Sequence, residues 1–105
     1  MPNFKIAVDD GTNNDGKAYR LGADESVDGI ISPVNLGPND VWVLHVPQGA
    51  EPTPAEVVAN GWPLFVYTNP AVAQCQIGSG LSVRDSTKYF LACATGESGS
   101  VRGIA

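Results

Sequence analysis

The sequence predicts a mainly β protein, a small antiparallel β-sandwich or barrel with one short helix at about residues 54–60. Three observations lead there. Short apolar runs rich in β-branched and aromatic residues recur at intervals of ~8–12 residues, the rhythm of a sandwich or small barrel. Twelve glycines and eight prolines punctuate those runs and supply the turns between them. One stretch alone, Thr53-Pro54-Ala55-Glu56, has the pattern of a helix start.

Along the chain, Phe4, Ile6 and Val8 alternate with Lys5 and Ala7, which predicts a first strand with one face on the core. Thr12-Asn13-Asn14-Asp15-Gly16 tolerates positive φ, and Asp15-Gly16 predicts a tight hairpin turn into a short strand through Ala18-Tyr19-Arg20-Leu21. After a turn over Gly22 to Ser26, the segment Val27 to Ser32 is apolar and ends at Pro33. Gly37 and Pro38 make 34–40 a loop. Val41-Trp42-Val43-Leu44-His45-Val46 is apolar on both faces and reads as a strand in the middle of a sheet.

The helix signal follows. Thr53 is the N-cap, Pro54 takes the first helical position, Glu56 closes a capping box, and Asn60-Gly61 predicts a left-handed stop after two turns. Further strands are expected at Leu64 to Tyr67, Val72 to Ile77, Leu81 to Arg84 and Tyr89 to Ala94, separated by Thr68-Asn69-Pro70, Gly78-Ser79-Gly80 and Asp85-Ser86-Thr87. The Gly- and Ser-rich end, 96–105, is expected as a mobile tail unless Val101 adds a last short strand. The whole, 1–105, is one β-rich domain, large enough to bury roughly 65% of its unfolded surface around one core.

Composition narrows the function. The hydrophobic share of 43% and charged share of 16% suit a globular domain rather than a disordered chain. Net charge is −5, and the six cations, Lys5, Lys17, Arg20, Arg84, Lys88 and Arg102, are scattered along the sequence. No basic stripe is legible there, so neither nucleic acid nor an anionic membrane surface is an expected partner. The longest apolar runs fall far short of the ~20 residues of a membrane helix. Met1 to Lys5 lacks the charged start and long apolar stretch of a secretory signal, which predicts a protein made and assembled in the cytoplasm. Cys75 and Cys93 each sit in an apolar run and read as buried reduced thiols, with a disulfide between them as the alternative.

Motifs that carry chemistry fail their tests. The loop 9–16 is rich in oxygens, but aligning Gly16 with the glycine of an EF-hand loop places Gly11 where an Asp must stand and Gly22 where the bidentate Glu must stand. His45, the single histidine, lies between Leu44 and Val46 within a strand, and Gly96-Glu97-Ser98-Gly99 brings its second glycine one place too early for a nucleophile elbow. Gly78-Ser79-Gly80 lacks the third glycine of a dinucleotide fingerprint. The carboxylate pairs Asp9-Asp10 and Asp24-Glu25 are adjacent, so in a strand they point to opposite faces. No cofactor, metal or enzymatic role is therefore expected. Among Trp42, Trp62, Tyr19, Tyr67 and Tyr89, Trp62 between Gly61 and Pro63 is the aromatic expected to reach a partner, its alternative being to cap the core under the helix.

In its length and in the run Asp10-Gly11-Thr12 followed by Asp15-Gly16-Lys17-Ala18, the chain resembles the small accessory proteins of tailed-phage virions, in particular head decoration (cement) proteins. The resemblance implies a structural protein that stabilises a bacteriophage head by surface contacts. It would assemble in the host cytoplasm as a homo-oligomer such as a trimer, with the major capsid protein or like subunits as partner and a terminal segment adding to the shell as an extra strand. Phe4, Ile6 and Val8, near the N-terminus, suit that contact, as does Trp62. The alternative from another class is a small ligand-binding β-module, for example one that holds carbohydrate on exposed aromatic faces.

Overall fold

The computed structural model describes residues 3–22, 29–31, 33–66 and 81–104. It is mainly β with one short helix, the predicted class. Among the described residues nine strands follow one another: β1 (Asn3–Val8), β2 (Tyr19–Arg20), β3 (Gly29–Ile31), β4 (Val34–Asn35), β5 (Val41–His45), β6 (Trp62–Leu64), β7 (Leu81–Val83), β8 (Tyr89–Ala92) and β9 (Gly99–Ile104). Helix α1 (Pro54–Asn60) lies between β5 and β6, and a 3-10 turn, Ser86–Lys88, leads into β8. Three strands form one sheet in the order β1-β9-β4, four form a second in the order β2-β8-β5-β6, and β3 pairs with β7. Every pairing between these strands is antiparallel.

The period of two in β5 explains the layering. Val41 and Val43 turn to one side of the four-stranded sheet, where they meet Leu64, Leu91, Val8 and Val101 in a core shared with the three-stranded sheet. Trp42, Leu44 and Val46 turn to the other side and pack with Phe90, Ala92 and Val57 of α1. A strand sandwiched in this way must be apolar on both faces, and β5 indeed lies inside its sheet, between β8 and β6.

Helix α1 begins as the sequence predicts. The Thr53 hydroxyl accepts the Glu56 N–H at 3.2 Å, and the Glu56 carboxylate accepts the Thr53 N–H at 3.5 Å. Its end differs from the left-handed stop expected. Gly61 is extended, at φ −83° and ψ 177°, because the chain passes straight from the helix into β6. Glycine is needed there for close approach, since a Cβ would stand 2.3 Å from the Val57 carbonyl oxygen and 2.8 Å from that of Val43.

Three other expectations are corrected. The turn at Asp15-Gly16 forms, with Asp15 at φ 54° and Gly16 at φ 75°, but it does not close a hairpin. β1 pairs with β9 in one-to-one register from Asn3↔Ile104 to Val8↔Gly99, while β2 pairs with β8. The connection is too long to dictate pairing, and it folds back on itself through bonds from Asn14 and Gly16 N–H to the Gly11 carbonyl. For the end, expected as a mobile tail unless Val101 added a last short strand, the alternative holds: it supplies β9, the middle strand of its sheet, with Val101 fully buried. The stretch 34–40, expected as a loop, opens with β4 and places Asn35 in the core. The expected strand at Leu64 to Tyr67 begins two residues earlier, at Trp62, and Tyr67, the segment around Val72 to Ile77 and Gly78-Ser79-Gly80 lie outside the described residues, as do Asp24-Glu25 and Cys75.

Asn35 is wholly buried, and it bonds in three directions. Its amide nitrogen donates to the carbonyls of Asn39 and Leu64, both at 2.8 Å, and its oxygen accepts the Gly37 N–H at 2.8 Å. Replacing it strands those backbone groups away from water, each at a cost of about 1–3 kcal/mol. Asn35→Ala is expected to lower the unfolding free energy by about 3 kcal/mol, read as a shift of the urea midpoint followed by circular dichroism.

Candidate functional site

The four-stranded sheet carries its inner face beyond the core at one end. Tyr89 and His45 are cross-strand partners, and the strand alternation that buries Leu91 and Val43 sets them on the same face. Their rings stack at 4.4 Å between centroids and 12° between planes. Across from Val43 on the neighbouring strand stands Trp62, 60% exposed. With Asn60 and Gly61 these residues border a shallow cleft of about 380 Å³.

Such an arrangement suits stacking contacts. The exposed indole of Trp62 and the exposed imidazole of His45, which the buried Tyr89 backs from the core, offer flat faces with polar edges, which fit either a sugar ring or the side chains of a protein partner. Trp62 is thus the expected partner contact that the structure leaves free to act. The other three expected contacts fare differently. Val8 is buried in the core and cannot touch a partner, because its face of β1 packs against the four-stranded sheet. Ile6 is half-buried against the same core and lines a different cleft from Trp62. Phe4 contributes backbone to β1, opposite Gly103, and its side chain lies outside the described part. The structure therefore does not gather β1 and Trp62 into one patch.

The oxygen-rich connection between β1 and β2 binds itself. Asp9 accepts the Gly11 N–H and the Asn13 side chain, both at 2.7 Å. Asp10 accepts the Thr12 N–H at 3.1 Å, the Thr12 hydroxyl, and the Gly96 N–H at 2.9 Å. Gly11, at φ 97°, packs so near the helix start that a Cβ would meet the Pro54 ring at 2.9 Å. Among the described residues no three His, Cys, Asp or Glu side chains are placed to hold a metal ion.

These bonds shift acidities. Burial pushes the Asp9 carboxyl up, but hydrogen bonds from Tyr19, Asn13 and the Gly11 backbone outweigh it and leave the group below its ordinary value. The Tyr19 phenol is pushed up to about 12 by burial, by its bond to Asp9 and by the nearby carboxylates. Cys93 is a free, buried thiol whose sulfur lies 3.5 Å from the Val8 carbonyl, and burial pushes it up to about 12.

One grouping had no signal in the sequence. Lys5, Lys17 and Arg20, spread over sixteen positions, line a single cleft of about 510 Å³ between β1 and β2. Only knowledge that the two strands join different sheets could have brought these cations together. Comparison of the chain with protein-family models, with curated proteins and with solved structures found no match.

The Asp9–Tyr19 bond sets a pH dependence. Tyr19 holds its proton more tightly folded than unfolded, so its contribution is complete below pH 10.0 and is lost as pH rises to about 12. Asp9 holds its proton less tightly folded, so its contribution is present above pH 3.8 and lost as pH falls through its lower folded value. Difference absorbance titration of the protein against Tyr19→Phe is expected to show a phenol ionising near 12, and Asp9→Asn to bring it down only in part, because burial, the larger cause, remains.

Proposed function

We propose that this is a non-enzymatic structural protein that works by surface contact, most specifically a decoration or cement protein that stabilises a bacteriophage head from outside. The observation that carries the contact role is Trp62, an aromatic standing 60% exposed on β6 beside the His45–Tyr89 stack. Large apolar residues are costly to leave in water and are over-represented among the anchors of protein interfaces. The virion assignment draws further support from the small β-sandwich and from the run that resembles decoration proteins, Asp10-Gly11-Thr12 and Asp15-Gly16-Lys17-Ala18, which forms the self-bonded connection between β1 and β2. The partner on this reading is the major capsid protein, or like copies in a trimer.

A second reading is favoured by the cleft itself. A ligand-binding module would use Trp62 and His45, the latter backed by the buried Tyr89, as a platform for a sugar ring. Light scattering over a hundredfold dilution, with and without reductant, separates the two. A trimer or larger closed assembly unaffected by reductant is expected, and Trp62→Ala should reduce it to monomer with its far-UV circular dichroism spectrum unchanged. A strict monomer whose tryptophan fluorescence responds to oligosaccharide would move the assignment to the second reading.

A further inference from the structure

β1 and β2 are consecutive in sequence yet belong to different sheets. They stay close only near the turn that joins them, where the Cys93 N–H donates to the Asp9 carbonyl at 2.9 Å and Asp10 is held by the Gly96 N–H. Beyond that point the strands splay, and the cleft of about 510 Å³ opens between them. Each is the end strand of its sheet among the described residues.

Backbone groups of both strands face this cleft. In a one-to-one antiparallel pair, the N–H and C=O of alternate residues point to the partner strand and away from it. The Leu36 N–H donates to the Ser100 carbonyl and the Cys93 N–H to the Asp9 carbonyl, so Ser100 faces β4 and its β1 partner Ala7, like Asp9 and Lys5 two residues to either side, turns its N–H and C=O away from β9. On the opposite wall the Leu21 N–H donates to the Tyr89 carbonyl, which turns the N–H and C=O of the preceding Arg20 away from β8. Two sheet edges therefore confront each other across a gap.

The charges around that gap run against those of the chain. With a net charge of −5, the protein places Lys5, Lys17 and Arg20 along the cleft. Lys5 also stands directly opposite Arg102 on β9, both exposed, a like-charge cross-strand pair that weakens a sheet. Among the described residues the ion pair formed is Arg20 with Glu51, which also lines the cleft. Glu51 thus already shows what the cleft accepts, a carboxylate against Arg20.

We infer that the cleft between β1 and β2 is a docking groove for an extended acidic segment of a partner protein, which adds as a strand to the exposed edges and sets its carboxylates against Lys5, Lys17 and Arg20. Glu51 competes with that segment for Arg20. The groove is separate from the Trp62 surface and works whichever reading of that surface holds.

The test uses a fluorescein-labelled peptide of about eight residues, a usual strand length, alternating Thr and Glu, with a Thr–Gln peptide as control. Anisotropy is expected to show binding by the Glu peptide that weakens with salt and is absent for the control. Glu51→Gln should tighten binding about threefold and the Lys5→Glu, Lys17→Glu double variant weaken it at least about tenfold, in keeping with the modest worth of each exposed charge pair. The gain in Glu51→Gln cannot come from misfolding. Amide exchange should slow at Lys5 and Arg20 on binding, as strand addition requires. Equal binding of the control, unaltered binding by the double variant, or complete displacement by millimolar inorganic phosphate at fixed ionic strength would each overturn the groove, the last in favour of a small-anion site.

Discussion

The buried side chain of Asn35 is the constraint on which the two main sheets depend. Its backbone belongs to β4 in the three-stranded sheet, yet its amide reaches the Leu64 carbonyl at the end of β6 in the four-stranded one. The same group holds the turn that follows, through Asn39 and Gly37. Neighbouring contacts extend the joint: Leu36 donates to Ser100, Asn39 and Ser98 bond each other through backbone and side chain, and Asp40 accepts the Val66 N–H at 3.2 Å. Gly99 has to be glycine here, since a Cβ would lie 2.6 Å from Val41 and 3.2 Å from the Asn35 oxygen. Hydrophobic burial gathers the sheets without direction. A buried amide that must satisfy both its donors and its acceptor admits one relative placement of them.

Local patterns in the sequence were legible where the physics is local. The capping box at Thr53 and Glu56 is complete within four residues, and the double-faced apolarity of Val41 to His45 declares a strand covered on both sides. What needs distant partners was hidden. A Gly- and Ser-rich end has little propensity of its own, and only the ladder with β1 and β4 on either side makes 99–104 a strand. Asn35 looked like a loop residue because Asn ordinarily is one, and its role depends on Leu64, twenty-nine positions on. For the candidate surfaces the same division holds. Trp62 was identifiable from its neighbours Gly61 and Pro63, while the alternation of Phe4, Ile6 and Val8 suited both a first strand facing the core and a partner contact, and the burial of Val8 agrees with the first.

The failed hairpin has a physical cause with consequences. Asp-Gly favours a reversal of direction, but the reversal here is fastened to things other than the opposing strand. Asp9 binds its own loop and Tyr19, Asp10 binds Gly96, and Gly11 lies against Pro54. Those attachments set the two exits of the turn on different sheets. The β1–β2 connection is thereby a brace between the C-terminal part of the chain and the start of the helix, and the opening between the strands is the geometric result.

Open sheet edges are hazards, since any chain with free backbone groups can pair there. The protein treats its edges differently. On β6, Pro63 removes a donor from the edge beside Trp62, so contact there has to come from side chains rather than from an added strand. Among the described residues the outer backbone of β1 and β2 has no strand paired to it, and cations guard it. A second copy offering the same edge would bring Lys5 and Arg20 against their own kind, and the identical edges repel. A strand bearing carboxylates meets the opposite sign. The charges that prevent self-pairing are therefore the ones that select an acidic partner, and one arrangement serves both exclusion and recognition.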